Sequence, residues 1–131
     1  MVLRFYTFAS QDERRRLGGS DWIELQYCRL PAGTPVDVLL ANDMHWQDDS
    51  LYLSGEEMEA FTRHYGAIFT GGFYQNGRRG PVDLCGLNYY DRMQAEAICA
   101  RLEAERPPDY RSVLRWLQDM GNAIGFYLLG L

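Results

Sequence analysis

Carboxylates are the reactive groups that this sequence concentrates. Residues 36–60, "VDVLLANDMHWQDDSLYLSGEEMEA", hold Asp37, Asp43, Asp48, Asp49, Glu56, Glu57 and Glu59 with no lysine or arginine among them. Clustered acids can ligate a cation, act as a general acid and base, or attract a basic partner, and they can also be an ordinary solvated face. For a cation, His45 with Asp48 and Asp49 would be the ligands. His45 and His64 fit no HxH or HExxH spacing, however, and "NDMHWQDDSLYL" lacks the central glycine of a calcium loop. No metal is expected.

Catalysis by paired carboxylates would draw on Asp48, Asp49, Glu56 and Glu57, and it requires burial that drives two pKa values apart. Ser54 with Glu57 reads as a capping box, which keeps Glu56 and Glu57 in water at a helix start. A nucleophile would be Cys28 or Cys85 with His64, but no spacing links them, and no serine sits in a GxSxG elbow. The glycines Gly71, Gly72, Gly77 and Gly80 flank a hairpin instead of joining a strand to a helix, so they make no phosphate cradle. All thirteen cations are arginine, and the missing lysine excludes a Walker loop and a Schiff base. The expectation is no catalytic residue and no cofactor.

Docking remains. Alternation in "VDVLL" accounts for Asp37 and capping accounts for Glu57. The expected partner-binding set is therefore Asp43, Asp48, Asp49 and Glu56 for steering, with Trp46 and Tyr52 as aromatic anchors. The competing reading is a solvated loop whose tryptophan folds back onto the core.

These residues need a frame. Segments 2–8 and 22–30 are rich in aromatic and β-branched residues and read as strands. Segment 31–35 is a turn, 36–40 a third strand, and 51–53 a short fourth. A helix is expected over 55–65, ended by Gly66. Asn76-Gly77 supplies the positive φ angles of a tight hairpin. Asp91 with Gln94 caps a helix to about Glu105, which Pro107 and Pro108 terminate. Tyr110, Val113, Leu114, Leu117 and Met120 form one helical stripe with Gly121 as its stop. "IGFYLLGL" is apolar enough for a central strand. Strands first and helices grouped later give a single α+β domain over 1–131, a mostly antiparallel sheet with about three helices.

At 131 residues and 47% hydrophobic, the chain can bury a core without a metal or disulfide. Its net charge of −5 makes nucleic acid a poor partner, and Arg14, Arg15 and Arg16 read as a solvated turn. Cys28, Cys85 and Cys99 form an odd set in apolar runs, expected as reduced core thiols. The first residues are in the wrong order for a secretory signal and no stretch is long enough to span a membrane, so a cytoplasmic protein is expected.

In this whole-chain character, and in the segments "GGFYQNGRRGPVDLCGLNYYD" and "GFYLLGL", the sequence resembles immunity proteins of bacterial toxin systems of the contact-dependent inhibition or polymorphic-toxin kind. The resemblance implies a cytoplasmic, non-enzymatic inhibitor that binds and neutralises a cognate toxin domain, a basic nuclease among the candidates. It carries over no individual position. The alternatives are a small regulatory or ligand-binding domain and a carboxylate-dependent enzyme. A secreted protein with a variable C-terminal domain encoded just upstream would favour immunity, and a metabolic operon would favour the alternatives.

Overall fold

The computed structural model describes residues 3–17, 21–41 and 46–130. Its centre is one antiparallel sheet in the order β2-β1-β6-β5-β3-β4. The strands are β1 (Trp22–Cys28), β2 (Leu51–Ser54), β3 (Gly72–Tyr74), β4 (Arg79–Gly80), β5 (Leu87–Asp91) and β6 (Gly125–Leu129). As its apolar run requires, β6 lies inside the sheet, with Tyr27 opposite Phe126 on one side and Tyr90 opposite Phe126 on the other. Gly125 suits this position because a Cβ there would lie 2.3 Å from the Tyr90 carbonyl oxygen.

The described residues contain five α-helices, two more than the sequence suggests. Three cover one sheet face: α3 (Met58–Tyr65), α4 (Arg92–Glu105) and α5 (Tyr110–Gln118). Under them Ile23, Leu25, Leu53, Phe126 and Leu128 are fully buried and meet Phe61, Tyr65, Leu102, Val113 and Trp116. Both halves of the Asp91–Gln94 capping box on α4 are made. Stacked rings tie the layer together: Phe61 on Tyr65 at 5.1 Å, Tyr90 on Phe126 at 4.9 Å, and Tyr27 on Trp116 at 4.0 Å.

The additional helices are short and lie elsewhere. Residues 36–40 form α2 (Val36–Leu40), not a strand. Pro35 presets the entry, and the Val38 and Leu39 amides donate to its carbonyl at 3.0 and 3.1 Å. Leu39 and Leu40 are both buried against Cys28, Tyr89 and Tyr127. Adjacent residues can share one covered side of a helix but not one face of a strand. The arginine run belongs to α1 (Gln11–Leu17), not to a turn. The Ser10 hydroxyl accepts from the Glu13 amide at 3.1 Å, and the Glu13 carboxylate accepts from the Ala9 amide at 2.9 Å.

Other expectations shift in detail. Segment 3–8 touches the sheet through one bridge, where Tyr6 and Tyr52 exchange two 2.8 Å hydrogen bonds. The Ser54 hydroxyl accepts from the Glu56 amide, and Glu57 does not close a box; residues Gly55–Glu57 are a 3-10 turn leading into α3. In the hairpin only Gly77 has positive φ, at 84°, and the Asn76 side chain accepts from the Arg78 amide instead. Cys28 is buried and Cys99 half-buried, but Cys85 is exposed and so is not a core thiol.

Candidate functional site

The described acids of the stretch lie on different elements. Asp37 lies on α2, Asp48 and Asp49 lie just before β2, and Glu56, Glu57 and Glu59 lie just after it. Four extended residues of β2 separate the last two groups by roughly 13 Å. Asp43 and His45 fall outside the described residues.

Asp49 is not a free acid. The Arg29 guanidinium, at the end of β1, forms an ion pair with its carboxylate and also donates to the Gln47 side-chain oxygen. This bond raises the Arg29 pKa further above its usual range. The Asp49 backbone is held as well, since the Trp116 indole N–H donates to its carbonyl at 2.7 Å. Trp116 stacks on Tyr27, whose hydroxyl donates to the Trp116 carbonyl at 2.6 Å, and Arg29 lies over the Tyr27 ring at 5.5 Å. Burial, with Asp119 and Asp49 nearby, raises the Tyr27 pKa. Arg29, just past β1, and Trp116, on α5, thus both hold Asp49. Beside them a cleft of about 250 Å³ runs between Phe5, Thr7, Leu51, Arg115, Trp116 and Asp119.

The remaining site residues divide. Asp48 and Glu56 are exposed, as docking requires. Trp46 is half-buried, and its indole N–H is buried with no hydrogen-bond partner among the described residues. Tyr52 is fully buried, so it is a core residue and not a contact anchor. Because 51 and 53 point to the helices, 52 must point to the opposite sheet face, where Phe8 and Trp22 pack on it at 5.2 and 6.3 Å and Arg14 lies over its ring. Its hydroxyl is buried and lies near that of Ser50 and the Glu24 carboxylate, close enough for weak hydrogen bonding though not at ideal geometry. Burial, with Glu24 nearby, raises the Tyr52 pKa to about 12.

Among the described residues no three His, Cys, Asp or Glu side chains converge on a cation position. Cys28 lies on the sheet face that carries α2, whereas His64 is exposed on α3 across the sheet, so this pairing is not made. Among the described residues no helix is long and apolar enough to cross a membrane. No protein-family model, no curated protein and no solved structure matches the chain.

Proposed function

We propose that this chain is a non-enzymatic, cytoplasmic inhibitor that binds and neutralises a basic protein partner, of the kind that immunity proteins form with a cognate toxin domain. One observation carries the reading. Of the acids in 36–60, Asp37, Asp48, Glu56, Glu57 and Glu59 form no ion pair among the described residues, where the three ion pairs are Arg15–Asp12, Arg29–Asp49 and Arg101–Glu105. Like charges left unmatched on a folded surface repel one another and gain from a cationic partner. A toxin domain that cuts nucleic acid presents such a surface, and covering it blocks substrate without any chemistry by the inhibitor.

The test uses the product of the reading frame next to this one. Its C-terminal domain is expected to bind this chain and to lose toxicity when the two are co-expressed. Asp48→Arg with Glu56→Arg should slow association by about tenfold and flatten its salt dependence. Asp49 is left intact so that the Arg29 pair survives. Unchanged association kinetics with a folded double variant would defeat the reading.

A second reading, a small ligand-binding domain, is favoured by the buried Trp46 indole N–H, which has no hydrogen-bond partner among the described residues. A thermal-shift screen against small polar metabolites distinguishes it, because only this reading expects a saturable rise in melting temperature.

A further inference from the structure

We propose that the groove between α2 and the β3–β4 hairpin is the seat for an apolar side chain flanked by an arginine or lysine on the protein partner. The inference rests on the reading of the chain as a binder of a basic protein and assigns that binding to a particular face. The groove encloses about 280 Å³ between Val36, Asp37 and Leu40 on one wall and Gln75, Asn76 and Gly77 on the other. Its volume is at the low end of the roughly 300–1,000 Å³ usual for small-molecule sites, enough for one or two side chains.

Three features select the occupant. Leu40 is buried at 4% while Val36 stands 47% exposed, so the groove has an apolar wall open to water. Val38, on the outer side of the same helix, is 46% exposed, and two of the four large exposed apolar side chains among the described residues are thus on α2. Asp37 sits on the groove with no ion pair among the described residues. On the hairpin the Arg79 guanidinium donates to the Gly71 carbonyl at 2.9 Å and lies over the Phe73 ring at 4.9 Å, and neither it nor the exposed Arg78 beside Gly77 forms an ion pair among the described residues. An apolar wall beside an uncompensated carboxylate fits an apolar residue next to a cation. A second copy of this chain fits poorly, because two chains of charge −5 repel.

The site is tested by amide NMR of the labelled protein titrated with a short amidated peptide alternating leucine and arginine. Two control peptides replace the arginines with glutamate or the leucines with serine. The expected result is saturable shifts at Val36, Asp37, Ala41 and 75–77 with the first peptide only. Asp37→Arg should weaken binding about fivefold, as loss of a partly exposed ion pair would, and Val36→Glu should abolish it, both with native spectra elsewhere. Shifts that map to Asp48 and Glu56 and survive both substitutions would overturn the groove and leave the basic-partner reading standing. Absence of binding to any arginine-bearing peptide would overturn both.

Discussion

At the scale of single residues, the chain shows how a charged or aromatic side chain acquires its role from neighbours distant in sequence. Asp49 resembles its neighbour Asp48 on paper, yet the first is tied to Arg29 and the second is free of any ion pair among the described residues. Tyr52 is the sharper case. Its hydroxyl is buried with only weak hydrogen bonding to Ser50 and Glu24, whereas its ring fills the space beside Phe8 and Trp22. Tyr52→Phe should therefore leave the melting temperature at neutral pH unchanged or raise it. At high pH the sign is set by proton release. An unfolded tyrosine ionises near pH 10, but the folded Tyr52 holds its proton to about 12, so the stability this group contributes is present below pH 10 and is lost as pH rises from 10 to 12. Denaturant melts across that window should show a shallower loss in the phenylalanine variant, smaller by one proton. An unchanged slope would mean that the phenol ionises as readily in the folded chain. The Arg29–Asp49 pair was not legible in the sequence, because its members are 20 positions apart and meet only through strand pairing. The burial of Tyr52 was partly legible: position 52 lies between two leucines that must face the core, and a sheet covered on both faces buries all three.

At the scale of elements, some local signals act as their residue types dictate and others do not. The Asp91–Gln94 box starts α4 and Gly77 turns the hairpin, but α5 ends at Gln118 with Asp119 as its C-cap, so Met120 and Gly121, with φ of 58°, lie beyond the helix and Gly121 is not its stop. The first two signals act within a few residues and depend on backbone geometry that the residue types impose. Segment 36–40 misled because valine, aspartate and valine imitate strand alternation over a stretch too short to show a helical period. Pro35 and the adjacent pair Leu39-Leu40 decide it, and both are visible in the sequence. The α1 cap was equally visible, since Ser10 and Glu13 have capping-box spacing. β6 offers the strictest test at this scale. Its backbone joins β1 to β5, and Phe126, Tyr127 and Leu128 are fully buried. Removing residues 125–131 should abolish cooperative unfolding, as followed by circular dichroism. A truncated chain that melts at the same temperature would contradict this placement.

At the scale of the whole molecule, charge opposes folding more than it assists it. The described ion pairs are exposed at 39% or more on each side chain, where such pairs contribute about 0–1 kcal/mol each, while net charge is −5 with the excess in 36–60. Raising salt from about 0.01 to about 0.15 M shortens the screening length and should raise the melting temperature in scanning calorimetry; a fall would show that attractive pairs dominate. The central position of β6 also bears on folding kinetics. β1–β2 and β5–β3–β4 are separate ribbons until β6 enters between them, and its contacts with β1, such as Gly125 opposite Cys28, close a loop that contains most of the chain. Closing that loop must precede the burial that rewards it. Folding should therefore be slow for a domain of this size, with its two half-sheets exposing unpaired edges to other chains until the last strand arrives.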